Sequence, residues 1–354
     1  MPQLDGLRAI AFLAVAVSHW IPVADHPLLP FGTGVQLFFV LSGFLITGIL
    51  LRSRPDDLGV SLCHVLRIFY ARRVLRIFPL YYGVLALAAI FAISPIATTW
   101  PWHVGYLSNF HFAFRGHTNA LTDPFLHLWS LSVEEQFYLV WPFVVLLLRP
   151  RALLVTLWIS VVGSMVFRVG IAHAAPGLAT VRYLTPSCLD ALAVGGLIAH
   201  AKHYAGELGV RRLTRVLGSA GFIGLAVSLL FLPQMVGPDD ARRIGHTFLV
   251  VFYGGIVAQA AEGFGGFSGR VLSAGPLRYL GKISYGLYVY HYFAAVVISR
   301  LATNLGWETL LRNEWTTIFA YSAFTFTAAV LSWHLYEGPI NRLKRHFTLR
   351  ASSD

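Results

Sequence analysis

The chain is short of charge. Of its 354 residues only 12% are charged, about half the share of an ordinary soluble domain. With 56% hydrophobic residues and a mean hydropathy of +0.65, this excludes a conventional water-soluble fold. The expected class is all-α, a polytopic integral membrane protein. No polar stretch exceeds a few tens of residues, so residues 1–354 read as a single transmembrane domain with no fused soluble domain. The first apolar run has neither a basic leader nor a small-residue cleavage site, so no cleavable signal is expected. Cysteine is scarce too. Cys63 and Cys188 give no disulfide framework. The 14 histidines form no H-x-x-x-H or H-E-x-x-H pattern, so no metal site is expected. Gly263-Phe264-Gly265-Gly266 lacks the lysine and the strand–helix context of a phosphate loop. No Gly-x-Ser-x-Gly elbow is present. The net charge of +11 comes from arginines in short loops, a pattern that orients membrane helices and argues against nucleic acid as a partner.

What is present is a series of long apolar runs. Ten spanning helices are expected, at about 7–24, 34–51, 75–96, 131–148, 152–172, 184–201, 214–232, 245–262, 284–303 and 316–336. The fourth is the shortest in apolar length and contains Pro142. Ser132-Val133-Glu134-Glu135 reads as a capping box that starts it. With both termini cytoplasmic, 20 of the 27 Lys and Arg residues fall in inner segments and 7 outside. The lipid bilayer is thus the first partner. The segment 97–130, rich in Trp, His and Asn, becomes the largest outer loop, a candidate lid or acceptor platform. No internal repeat is visible, including the inverted repeats typical of transporters.

Arg8 and His19 share the first apolar run. Eleven residues is a rotation of about 1,100°, so the two side chains differ by only about 20° around the axis and by about 16 Å along it. Ionisable groups at such depths are costly and usually face a cavity or pathway. Neutral imidazole can take a proton from a hydroxyl at physiological pH. The bland alternative is a histidine that merely packs between helices. Arg8 can likewise pair with Asp5, three residues earlier. Arg73 and Arg76, spaced i, i+3, point the same way at the inner surface, where arginines also serve topology and lipid phosphates. Arg72 points elsewhere and reads as a topology charge. Glu134 and Glu135 face about 100° apart, so one of them is expected to enter a cavity, while the helix dipole alone would explain an acid there. Tyr288 and His291 share a face near Tyr285, either as a relay or sugar contact or as a polar bond between helices.

Five ordered motifs carry a resemblance. Leu4-Asp5-Gly6-Leu7-Arg8-Ala9-Ile10-Ala11 is followed by Ser18-His19, then by Phe38-Phe39-Val40-Leu41-Ser42-Gly43-Phe44-Leu45-Ile46 and Arg72-Arg73-Val74-Leu75-Arg76-Ile77-Phe78-Pro79. The fourth is His127-Leu128-Trp129-Ser130-Leu131-Ser132-Val133-Glu134-Glu135-Gln136-Phe137-Tyr138, and the fifth Ser284-Tyr285-Gly286-Leu287-Tyr288-Val289-Tyr290-His291, with Glu337-Gly338-Pro339 closing the last helix. In these the chain resembles membrane acyltransferase family three, which includes O-acetyltransferases of bacterial surface glycans and macrolide acyltransferases. One departure is Gln36, where the family often has Asp, so an acidic role there is not available.

The resemblance implies an O-acyltransferase of the bacterial cytoplasmic (inner) membrane, with His19 as general base and Glu134 as its orienter or an acceptor contact. Arg8, Arg73 and Arg76 are the implied donor-binding residues. Tyr288, His291 and Gln36 are candidates for acceptor binding or relay. The implied co-substrate is acyl-CoA, with acetyl-CoA foremost, and no permanently bound cofactor is expected. The acceptor would be a glycan or glycolipid hydroxyl, or alternatively a macrolide. Direct attack and an acyl-histidine relay remain two chemistries for the same residues. The rival class is a transporter or an acyl-relay protein without an acceptor of its own.

Overall fold

A computed structural model describes residues 1–21, 31–115, 123–175 and 180–349. Among them there is no strand. Helix α1 (Pro2–Trp20) opens on a proline in its first turn, where the missing N–H costs nothing. Helix α2 (Gly34–Leu51) is followed by the single turn α3 (Pro55–Leu58) and by α4 (Leu62–Ile90), capped by Ser61 Oγ accepting from the backbone N–H of His64. Two short helices, α5 (Ile96–Val104) and α6 (Ser108–Arg115), lead to α7 (Leu128–Leu147) and α8 (Pro150–Ala174). Then come α9 (Leu189–Tyr204), α10 (Gly206–Leu230), α11 (Leu232–Val236) and α12 (Pro238–Glu262). The chain continues through α13 (Gly266–Leu272), α14 (Gly275–Lys282), α15 (Ser284–Tyr290), α16 (Phe293–Leu305), α17 (Glu314–Ser332) and α18 (Gly338–Arg342).

Seven of these helices are long and apolar enough to cross a membrane: α2, α4, α7, α8, α10, α12 and the continuous stretch that begins with α17. They make the chain a multi-pass membrane protein. Ten spans are not confirmed, and the three remaining segments each differ for a physical reason. The expected span 7–24 carries Arg8 and His19 inside α1, and its residues 22–24 lie outside the described residues. The span 184–201 is the 16-residue α9, preceded by a 3-10 turn, Thr185–Cys188. The span 284–303 is broken between α15 and α16, at His291 and Tyr292. The third span also starts earlier than expected, because the basic run Arg67 to Arg76 continues the helix back to Leu62.

Two close approaches set the frame. A Cβ on Gly43 would lie 2.0 Å from the carbonyl oxygen of Leu192, and one on Gly195 would lie 2.1 Å from that of Val40. Helices α2 and α9 therefore pack backbone to backbone, as small residues permit in membranes. At Gly281 a Cβ would lie 1.8 Å from the Asp5 carbonyl, so α14 holds the N-terminal end of α1. Gln3 completes that anchor, donating to the Phe264 carbonyl and accepting from its N–H at 2.6 Å. The glycine-rich turn 263–266 is thus a clasp for α1, in keeping with its reading as a loop. Outward faces carry Leu139, Val140, Ile159, Val162, Phe222 and Ile223, all exposed, as a lipid-facing surface requires. Cys63 is exposed and Cys188 buried, both as free thiols.

Candidate functional site

The fourth motif is not a helix start. Helix α7 begins at Leu128, so Ser132 lies in its second turn, donating back to the Leu128 carbonyl and bonding to Ser108 Oγ at 2.8 Å. The capping-box expectation is corrected accordingly. His127 and Leu128 already turn helically because His127 is pinned from outside the helix, its Nε2 donating to the Val289 carbonyl at 3.1 Å. Glu134 therefore sits two turns into α7 and cannot owe its place to a helix N-terminus.

It faces a cavity of ≈ 90 Å³ between α1, α2, α4, α7 and α15, lined among others by Arg8, Ser42, Arg73, Arg76, Glu134 and Tyr288. That is room for several waters. Ser42 donates to Glu134 Oε1 at 2.5 Å and accepts from Tyr138 OH at 3.2 Å. The Arg73 guanidinium lies 6.0 Å from the ring centres of both Phe69 and Tyr138. Arg8 keeps a long contact of 3.9 Å with Asp5 while lining the same cavity. The contact with Asp5 thus does not remove Arg8 from the cavity wall. Glu135 turns away from the cavity, and its Oε1 is buried without a hydrogen-bond partner.

His19 does not line this cavity. It lies at the other end of α1, exposed, with its ring packed on the break that follows α15. Its Nδ1 is 3.1 Å from His291 Nε2, the rings stack at 5.2 Å, and the edge of Tyr292 closes in at 4.7 Å. His291 is fully buried and its Nδ1 is 2.5 Å from the Tyr288 carbonyl. Trp20 Nε1 donates to the His291 carbonyl at 3.3 Å. The break in the expected ninth span is what brings His291 here, and the sequence pattern of that run gave no sign of it.

These contacts fix tautomers. A backbone carbonyl can only accept, so His291 Nδ1 carries hydrogen. In the neutral ring Nε2 is then an acceptor, and His19 must donate to it from Nδ1. The lone pair of His19 is left on Nε2. Tyr288 links the two halves of the site. Its carbonyl ends the histidine chain, while its hydroxyl bonds Ser130 Oγ at 2.6 Å within the arginine cavity. Gln36 joins neither half by a hydrogen bond, and its Oε1 is buried without a partner.

Two further residues escaped the sequence analysis. His127 stacks on Tyr292 at 4.7 Å and meets the His291 ring at 5.1 Å. Arg182 lies within electrostatic reach of His19. The segment 97–130 is not an open loop where it is described. Helices α5 and α6 are tied down by Tyr81 OH to the His103 carbonyl at 2.9 Å and by Gln136 to Asn109 and the Tyr106 carbonyl. Residues 116–122 of that segment lie outside the described residues. Asp123 follows, buried, with Oδ1 accepting the Phe125 N–H at 2.9 Å, and burial pushes its carboxyl up to about 6. Burial likewise holds the His103 imidazole down at about 3. No group of three or more metal-binding side chains occurs among the described residues.

The described residues form a multi-pass helical membrane protein with a buried polar cavity and a paired histidine, His19 with His291. The chain belongs to the acyltransferase domain family, whose pattern matches residues 1–336. It is 29% identical to the peptidoglycan O-acetyltransferase OatA of Listeria monocytogenes, over 97% of this chain and 56% of that protein. It is also 29% identical to the O-acetyltransferase OatA of Staphylococcus aureus, over 84% of this chain and 51% of the other. The chain thus spans about half the length of these relatives. No solved structure matches it significantly.

Proposed function

We propose that this protein is an O-acetyltransferase of the bacterial cytoplasmic membrane, moving an acetyl group from cytoplasmic acetyl-CoA to a glycan hydroxyl. Both termini face the cytoplasm in this reading, as the charge split favours. The single observation that carries the proposal is the lone pair left on His19 Nε2 by the His19–His291–Tyr288 chain. A base so oriented suits hydroxyl activation. His19 Nε2 takes the proton of the acceptor hydroxyl as its oxygen attacks the thioester carbonyl. The carbon–sulfur bond breaks, and the proton passes from His19 to the leaving thiolate. Arg8, Arg73 and Arg76 hold the phosphate-bearing part of the donor, for which the planar guanidinium is suited.

The arginine cavity and His19 lie toward opposite ends of α1, roughly 16 Å apart along its axis from Arg8 to His19. A long, flexible pantetheine arm can cover that span. The glycan class of the acceptor is supported by the peptidoglycan named for the Listeria relative. Glu134, held by Ser42, lies on the arginine side of the site with Arg8 and Arg73 in electrostatic reach, and makes no contact with His19 that would orient it.

The test uses purified protein in lipid nanodiscs with acetyl-CoA labelled in the acetyl group. The proposal expects label to leave coenzyme A and appear on soluble glycan fragments. Intact acetyl-CoA after prolonged incubation with a range of hydroxyl acceptors would place the chain with the transporters instead. Label on a macrolide but on no glycan would favour the small-molecule acceptor.

A further inference from the structure

Beyond the arginine cavity the inner end of α4 meets the tail of the chain. Arg72, expected only to set topology, donates from Nη1 to the Phe347 carbonyl at 2.9 Å. This bond ties the last described turn, Leu343–His346, against α4. Lys344 is thereby brought within electrostatic reach of Arg76, Arg73 and Arg72. Its own Nζ donates to Asn341 Oδ1, an uncharged partner. Arg76 in turn lies within electrostatic reach of Arg8. Arg73 and Arg76 line the cavity with Arg8, and Lys344 is brought near them from the tail that Arg72 holds against α4.

No carboxylate makes an ion pair within 4.0 Å of Arg72, Arg73, Arg76 or Lys344 among the described residues. Three acids lie within electrostatic reach of these arginines, and Glu135, near Arg73, makes no ion pair with it within 4.0 Å. Glu337, in the π-turn after α17, faces Arg76 but accepts from Ser332 at 2.9 Å. Glu134 faces Arg73 but accepts from Ser42. Like charges gathered without direct counter-ions repel, and such a cluster is stabilised when an anion enters it.

We infer that Lys344 and the arginines of α4 form a phosphate site at the inner mouth of the cavity, with Arg72 as the positioning residue that clamps the tail in place. The chemistry recognised is a phosphate ester or diphosphate. On the proposed function, on which this inference rests, that phosphate belongs to the nucleotide end of the donor. The site lies at the entrance, so a phosphate held there leaves the uncharged arm free to run inward past Arg8. An anionic lipid headgroup offers the same chemistry from another source.

The experiment measures binding of coenzyme A and of S-acetylpantetheine, which has no phosphate, to the full chain in nanodiscs, together with phosphatidylglycerol retained in native mass spectrometry. Lys344→Gln is expected to weaken coenzyme A binding on the order of tenfold, the scale of one charge-assisted hydrogen bond. S-acetylpantetheine binding stays unchanged, and Lys344→Arg restores the affinity. Arg72→Gln produces a similar loss, and Arg72→Gln with Lys344→Gln is no worse than either alone, because both act through one contact. Unchanged coenzyme A affinity in Lys344→Gln, with wild type binding normally, overturns the inference and leaves the proposed function standing. Loss of retained phosphatidylglycerol without loss of coenzyme A overturns the link to the donor. Absence of coenzyme A binding by the wild type overturns the donor assignment itself.

Discussion

His19 Nδ1 and His291 Nε2 stand 3.1 Å apart although 272 residues separate them in the chain. The buried histidine bonds the Tyr288 carbonyl through its other nitrogen, so it acts on His19 as an orienting acceptor, leaving on Nε2 the lone pair that the proposed function makes the base. This is the logic by which a third group holds a base in one tautomer.

Replacing His291 should therefore cost turnover while sparing donor affinity. His291→Ala is expected to lower kcat by roughly 10-fold to 100-fold, in the range for a disturbed general base, with KM for acetyl-CoA little changed. In a His19→Ala background the same substitution should add almost nothing, since the two act as a unit. Additive losses in the double variant would make His291 a packing residue.

Arg73 offers a test of fork against charge. Arg73→Lys keeps the cation but loses the planar bidentate geometry. Coenzyme A binding measured by calorimetry should weaken by several-fold to tenfold, in line with one lost charge-assisted bond. Equal affinity in the Lys variant would assign Arg73 to topology or lipid contact.

The Ser42 hydroxyl donates to Glu134 Oε1 at 2.5 Å while accepting from Tyr138. Ser42→Ala should leave a buried carboxylate short of a donor and cost about 1–3 kcal/mol of stability, read as a fall in the thermal midpoint in nanodiscs. A Ser42→Ala midpoint within error of wild type would show that water replaces the hydroxyl without loss.

Asp123 predicts a pH dependence. Its folded carboxyl titrates at about 6, above the ordinary 3.8, because burial disfavours the charged form. A raised pKa contributes stability below the unfolded value that is lost as pH rises through the folded one. Between pH 4 and 6 the wild type should lose up to about 3 kcal/mol, two pKa units at 1.36 kcal/mol each. Asp123→Asn keeps an acceptor for the Phe125 N–H and should flatten that slope in thermal scans. Parallel pH profiles for the two proteins would remove Asp123 from this role.

Much of the site was legible because its motifs are local. The i, i+3 spacing of Arg73 and Arg76 and the placement of Arg8 on α1 put all three on the cavity wall, where they are found. Of the adjacent Glu134 and Glu135, one enters the cavity, as rotation about a helix requires. What was not legible depends on distant contacts. The break at His291 and Tyr292 falls within an unbroken apolar run, so periodicity could not mark it. Helix α7 starts early because His127 is held by a carbonyl on another helix, a contact no capping pattern encodes. Lys344 meets Arg72 and Arg73 only because the tail folds back on α4. Arg8 and His19 lie on one helix, yet only Arg8 lines the cavity, while His19 packs against His291.

The central claim is that His19 Nε2 is the base, and one measurement meets it directly. Acetyl transfer from labelled acetyl-CoA to a glycan acceptor is followed for wild type and His19→Ala in the same nanodiscs, alongside coenzyme A binding. The account predicts transfer reduced by about 10²-fold or more with binding unchanged. Transfer within a few-fold of wild type would contradict it.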